Sequence, residues 1–325
     1  MATPPPRIVR LGTADTPFPS PQLQQIEDSA PLLALPDGGA ALRARFARDG
    51  FVFLRCALGA APVLAARARV LAHLAAQPGV LVPGTTATLE LGCGLGCVPM
   101  MEGRNDVTHA PELLAVLEGA PLRGAVAALL ETPRLRGFDY KWLRAMPRAT
   151  FTGVHCDAVY MARGSPRLLT CWVPLEEAAP LELGGLALCR GSHAAPQLAR
   201  LRDTYGRLDT EAEPRFVGSG WLTEDPRDPA LLPAAQWVAG DYAAGDVIIF
   251  GMHTLHMSTA NLTDRARLSC DVRWQPQDEP VDERYVGSQA ELAEKARQRK
   301  KGGAWVGEAR AEDVTMGALR ERWGV

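Results

Sequence analysis

Hydrophobic and polar positions along the chain change their period near Pro133. Before that point apolar residues recur at helical spacing. "AALRARFARDG" reads as a short helix closing at Gly50, followed by a strand from Phe51 to Arg55. "APVLAARARVLAHLAAQPG" reads as an Ala-rich amphipathic helix stopped by Pro78 and Gly79. "THAPELLAVLEGAPLRGAVAALLETP" predicts two helices split near Gly119, with Thr108 as a cap and Pro111 in the first turn. Beyond Pro133, short runs rich in Val, Leu, Trp and Tyr alternate with Gly, Pro and Asp as far as about Asp278. That texture predicts an antiparallel sandwich or barrel rather than a parallel sheet. The ends differ: residues 1–40 are rich in Pro, Gly and Gln without a period and predict an extended arm that wraps the domain or stays mobile. "ELAEKARQRKKGGAW" predicts a charged surface helix running into a flexible end. The organisation is therefore an arm (1–40), one domain (41–287, helical over 41–133 and β over 134–278), and a C-terminal helix and tail (288–325).

Length and charge narrow the function classes. A chain of 325 residues can bury one large core, and a net charge of −2 with scattered Lys and Arg gives no footprint for nucleic acid. The opening "MATPPPRIVRLGTADTPFPSPQ" has no apolar signal core, and no stretch approaches the roughly 18 to 20 uninterrupted apolar residues of a membrane span. A cytoplasmic protein without a membrane partner is the expectation. An organelle transit peptide stays open, because no acid precedes Asp15, although Ser is sparse. The seven cysteines form no Cys-x-x-Cys pair and several lie in apolar runs, as free thiols do in a reducing compartment. Cys93 and Cys97 in "LGCGLGCVPM" read as incidental thiols of a Gly-rich loop that lacks dinucleotide-binding spacing.

The chemistry concentrates in two places. In "TGVHCDAVYMARGS", read as a strand, His155 and Asp157 share one face while Val154, Cys156 and Ala158 pack on the other. A third ligand is expected from a distant strand, and "GDVIIFGMHTLHMS" offers His253 and His256 on opposite faces. Two histidines and a carboxylate suit a non-haem Fe(II) with three open positions, and Zn(II) would accept the same set. The next strand, "RLSCDVRW", tips the balance towards iron. Arg267, Ser269, Asp271 and Arg273 share one of its faces, and an inward Arg with a Ser suits a small dicarboxylate such as 2-oxoglutarate.

At this point the chain resembles the phytanoyl-CoA dioxygenase-like Fe(II)/2-oxoglutarate oxygenases, over roughly Phe46 to Trp274. The resemblance is carried by "HCD", by "GGLALCRGSH" and above all by "GDVIIFGMHTLHMSTANLTDRARLS". It implies a mainly β protein with flanking helices and a double-stranded β-helix (jelly-roll or cupin-like) core. It implies His155, Asp157 and His256 as metal ligands, with His253 outside the set. Arg267 would pair with the far carboxylate of 2-oxoglutarate, Ser258 and Ser269 would donate to it, and Trp172 and Lys141 would face it. Gly184 and Cys189-Arg190 depart from the family pattern, which shows Asn and a Pro there; the Gly191-Ser192-His193 turn survives, with His193 structural. His73 and His109 read as packing, surface or capping residues. The implied reaction consumes O2 and 2-oxoglutarate, releases succinate and CO2, and hydroxylates a small-molecule substrate, since halogenating relatives lack the carboxylate that Asp157 supplies. Tyr160, Arg163, Asp271 and Arg273 extend towards the expected mouth, although Arg273 can equally pair with Asp271. Two alternatives remain: a hydrolase or cupin-like isomerase that needs the same ligands but not Arg267, and a non-catalytic member of the fold.

Overall fold

The computed structural model describes residues 7–85, 90, 106–231, 235–302 and 313–325. Its first part runs β1 (Arg7–Leu11), β2 (Ala14–Phe18), β3 (Leu23–Gln25), α1 (Gly38–Asp49), β4 (Phe51–Leu54), α2 (Ala60–Ala75), α3 (Pro111–Leu117) and α4 (Ala120–Leu130). The β-rich part follows with β5 (Leu135–Gly137), β6 (Trp142–Met146), α5 (Ala158–Met161), β7 (Leu169–Pro174), β8 (Ala178–Ala179), β9 (Leu186–Cys189) and α6 (Ala199–Asp203). It ends with β10 (Trp237–Ala239), β11 (Tyr242–Ala243), β12 (Val247–Gly251), β13 (His256–Ser258), β14 (Arg267–Pro276), α7 (Gln289–Gly302) and α8 (Met316–Trp323).

Period-2 alternation builds two cores on one sheet. The six-stranded sheet has the order β4-β12-β7-β14-β5, with β6 also paired to β14. Val52, Val173, Ile249, Leu268 and Val272 face α1 to α4, where they meet Leu42, Val63, Val70, Leu113 and Val126. The alternate residues Phe53, Trp172, Ile248 and Phe250 face a four-stranded sheet, β13-β9-β10-β3, and meet its Leu188, Val238 and Met257. Each such side chain contributes roughly 1.5–3 kcal/mol through burial, so the register of β12 and β14 is strongly specified. The molecule is mainly β with helices flanking one sheet, and the functional residues lie between the sheets.

Several expectations need correction. The described part of the N-terminal arm wraps the domain, the first of the two expectations, but as paired strands: β1 and β2 form an antiparallel hairpin, and β3 pairs in parallel with β10, Leu23 opposite Trp237. Val9, Leu11, Phe18 and Leu23 are apolar anchors buried in the inter-sheet core, which a Pro- and Gly-rich composition conceals. The C-terminus also docks. Thr315 Oγ1 caps α8 by accepting from the Ala318 N–H, Leu319 is buried, and Arg320 pairs with Asp228 at 2.7 Å. Ala110 rather than Thr108 precedes α3, because Thr108 belongs to a 3-10 turn just before it. Pro111–Leu130 is long and apolar enough to cross a membrane by length and composition alone. Glycine 119 breaks it into α3 and α4, whose Val116, Leu117, Leu122 and Leu130 are buried against the sheet. Gly50 closes α1 in the left-handed region at φ 85°, where an added Cβ would lie 2.6 Å from His193 Nδ1. Cys93, Cys97 and their Gly-rich segment lie outside the described residues.

Candidate metal centre and active site

His155 and Asp157 do not share a strand face. His155 forms an isolated antiparallel bridge with His256 at the start of β13, closed by reciprocal N–H···O bonds of 2.9 and 2.8 Å. The chain then turns, and Asp157 sits at the N-cap of α5 with helical angles (φ −66°, ψ −21°). A strand-to-helix turn, rather than the pleat, brings the carboxylate beside the imidazole. Asp157 Oδ1 lies 4.0 Å from His155 Nε2 and 3.8 Å from His256 Nε2, and the imidazole centroids are 4.1 Å apart.

Both imidazoles are held in the same tautomer by the backbone. His155 Nδ1–H donates to the Gly153 carbonyl (2.8 Å) and His256 Nδ1–H to that of Thr254 (3.0 Å), which leaves each Nε2 lone pair for a metal. Gly153 must be glycine, since an added Cβ would stand 2.7 Å from the Trp221 ring. Burial, reinforced by the neighbouring imidazole, pushes His155 down to about 3, and burial lowers His256 as well. Both are therefore neutral ligands at pH 7. Burial alone would raise Asp157, but the Arg273 guanidinium, the two imidazoles and the Thr170 hydroxyl together hold its carboxyl well below the usual range.

The ligands open onto a cavity lined also by Arg144, Thr152, Trp172, Leu186, Phe250, Met257, Ser258, Arg267, Asp271 and Arg273. Arg267 is 3% exposed and its guanidinium lies 5.6 Å from the Trp172 ring centroid. Nη1 donates to Ser269 Oγ at 3.1 Å, Nε has no partner, and no carboxylate among the described residues forms an ion pair with it. Burial and the Arg144 charge lower its pKa to about 10. Ser258 Oγ accepts the Thr152 N–H at 2.8 Å and keeps its own proton available to the cavity. Ser192 Oγ, in the turn before His193, accepts the Leu255 N–H at 2.9 Å and so steadies the residue before the ligand His256.

The remaining sequence candidates separate by register. Lys141 lies on the face of the β6 segment that carries Leu143 and Ala145 to the helices; its Nζ is 2.8 Å from Glu118 and 3.3 Å from the Phe138 carbonyl, away from the cavity. Arg144, on the opposite face, is the cation that reaches the cavity, and it pairs with Asp271. Tyr160 donates to the Ser219 carbonyl and Arg163 pairs with Asp209, so neither lines the cavity. Ser269 is buried and turned to Arg267. Asp271 and Arg273 do line the cavity, Arg273 gripping Asp157 at 3.0 Å. His253 is exposed, His193 packs on the Ala47 carbonyl, and His109 bonds to Thr108 and Gln289. Gly184, where the resemblance has Asn, is left-handed at φ 97°, a conformation glycine takes without strain. Sequence reasoning missed Arg144, Thr152, Thr170, Leu186, Phe250 and Met257. The alternation along β6 and β13 was the signal available for the first and last of these.

Two neutral imidazoles and one ionised carboxylate on an antiparallel β-framework define a facial-triad metal centre. The chain belongs to the phytanoyl-CoA dioxygenase family, whose model matches residues 46–269. Among solved structures it is similar to the epimerase SnoN in complex with Fe3+, alpha ketoglutarate and nogalamycin RO: 21% identity, 78% of this chain and 88% of that chain covered, TM-score 0.52. The alpha ketoglutarate-dependent carbocyclase SnoK from nogalamycin biosynthesis is similar at 19% identity, with 78% and 89% covered and a TM-score of 0.51. At these identities the likeness is one of fold. No curated protein matches the sequence.

Proposed function

We propose that the protein is an Fe(II)- and 2-oxoglutarate-dependent dioxygenase that hydroxylates a small-molecule substrate and releases succinate and CO2. The single observation that carries this reading is Arg267: a guanidinium buried in the metal-ligand cavity with Nε unpaired and no carboxylate partner. The cavity holds three guanidiniums against two carboxylates; Arg144 and Arg273 are paired with Asp271 and Asp157, and Arg267 is the surplus cation. A dianionic keto acid that chelates a divalent metal and ends on Arg267 fits that imbalance. The facing four- and six-stranded sheets are, on this reading, the two halves of a double-stranded β-helix.

When bound, iron and the keto acid supply the oxidative decarboxylation and C–H oxidation. The chain's own residues do the rest. His155, Asp157 and His256 hold the metal on one side. Arg267 and the Ser258 hydroxyl fix the far carboxylate, with Trp172 as a flat wall beneath the guanidinium. Leu186, Phe250 and Met257 exclude water from the chelate. A cytoplasmic location accords with the free thiols at Cys56, Cys156, Cys171, Cys189 and Cys270. A non-redox metal enzyme would use the same three ligands, but it gives Arg267 nothing to bind.

The test is an anaerobic titration with Fe(II) and 2-oxoglutarate, followed by the visible charge-transfer band of the chelate. We expect the band in the wild type and a rise of roughly 100-fold in the 2-oxoglutarate Kd for Arg267→Ala, equivalent to about 2.7 kcal/mol for the lost charge-assisted pair. An iron-loaded wild type without the band would leave the hydrolase or isomerase reading in its place.

A further inference from the structure

The two oxygens of Asp157 are not equivalent. Oδ1 faces Nε2 of both imidazoles, at 4.0 and 3.8 Å. Oδ2 points the other way and accepts from two donors, Thr170 Oγ1 and Arg273 Nη2, the latter at 3.0 Å. These donors are neither local to Asp157 nor independent of each other. Thr170 on β7 and Arg273 on β14 are directly opposite in the antiparallel register, so one cross-strand pair delivers both donors to a single atom. Arg273 is itself fixed. It is 2% exposed, its guanidinium lies 4.0 Å from the centroid of the Trp142 ring, and Nη1 is 3.5 Å from Asp271 Oδ2, the same oxygen that Arg144 holds.

We propose that Arg273, with Thr170, is a positioning element that reserves Oδ2 of Asp157 and so restricts the ligand to one oxygen. The inference rests on the metal-centre reading above. A carboxylate has two oxygens with which to bind a metal, and one free to rotate takes two positions instead of one. With two imidazoles that leaves only two of six positions open. A chelating keto acid would fill both, with none left for O2. Holding Oδ2 in a pair of charge-assisted and hydroxyl hydrogen bonds keeps the third position open. A guanidinium suits the task because its fork binds Asp157 and Asp271 at once while its carbon lies over the Trp142 ring, which an ammonium cannot reproduce.

The test uses Co(II)-loaded full-length protein, whose d–d absorption reports coordination number without keto acid or turnover. Three proteins are compared: the wild type, Thr170→Val, which deletes one hydroxyl at nearly constant shape, and Arg273→Gln, which removes the fork. We expect both variants to bind Co(II) within about threefold of the wild type, with altered d–d intensity. The 2-oxoglutarate Kd should stay within about threefold of the wild type, since two positions remain for the chelate. The d–d change in the double variant should be no larger than in the more affected single one, because both donors act on one atom. Unchanged d–d spectra in both variants would overturn the inference, as would loss of Co(II) binding in Thr170→Val, which would mean that the donors hold the ligand in place rather than reserve an oxygen. Failure of the functional reading looks different: a wild type that binds Co(II) or Fe(II) yet shows no keto-acid chelate. The d–d comparison still decides the role of Arg273 in that event.

Discussion

His155 carries a cost that the metal-free fold must bear. In the unfolded chain its imidazole titrates near 6.5, and in the fold burial holds it at about 3. Between those values the unfolded state binds the extra proton, so the stability this neutral imidazole permits is complete above about pH 6.5 and lost as pH falls towards 3. Metal-free protein should therefore lose up to about 1.4 kcal/mol per pH unit in that window from His155 alone. Urea midpoints measured from pH 7.5 to 5 check this, and His155→Gln should flatten the slope; an equally steep variant would assign the loss to other groups. At this scale the chemistry was largely readable: the spacing in "HCD" and the distal "HTLHMS" named residues that the structure brings together. The geometry behind them was not. A strand was inferred where a bridge and a helix N-cap exist, because the one-residue spacer of "HCD" fits strand alternation and carries no sign of the turn after His155. The family resemblance named Lys141 and left Arg144 out; nothing in the sequence fixes where β6 begins, and one residue of register moves a side chain from cavity to helix layer.

Elements place these residues more than their own propensities do. The turn between β13 and β14 sets where Arg267 stands relative to His256, and Asn261 pins it. Its Nδ2 donates to the Met146 and Arg265 carbonyls at 3.0 and 2.7 Å, while Oδ1 accepts the Thr263 N–H at 2.9 Å. The residue is fully buried, so Asn261→Ala leaves carbonyls without donors and should cost about 2–3 kcal/mol. Denaturant unfolding reads the loss, and the 2-oxoglutarate Kd should weaken with it; a stable variant with displaced Kd would mean that the turn steers Arg267 without supporting the fold. The strand "RLSCDVRW" was legible because its alternation is uninterrupted, and "VIIF" because a short continuous apolar run follows the Gly245-Asp246 turn. The short β3 and α8 were not, since three to eight residues carry little periodic signal and owe their order to a partner strand and to Arg320–Asp228.

Across the molecule, one sheet serves two cores, and its thiols record that division. Cys171 and Cys270 face the helix layer and Cys156 and Cys189 the inter-sheet layer, whereas Cys56 is exposed. Burial pushes Cys156 and Cys270 up to about 12 and Cys189 to about 11. Among the described cysteines, a thiol reagent at pH 8 should modify Cys56 within minutes and the other four only after unfolding, by peptide mapping of the labelled protein. Early labelling of Cys156 would show that the ligand-bearing turn opens in the native state.

The reciprocal bridge between His155 and His256 also has a consequence in time. A chain synthesised from its N-terminus presents His155 and Asp157 long before β13 exists, and Arg267 comes later still. In the six-stranded sheet β4 pairs with β12, β5 and β6 with β14, and β7 with both, so the sheet and the metal site are completed together. Iron that arrives early finds only an incomplete, weak site, and redox chemistry is withheld from the half-made protein until its final strands have joined.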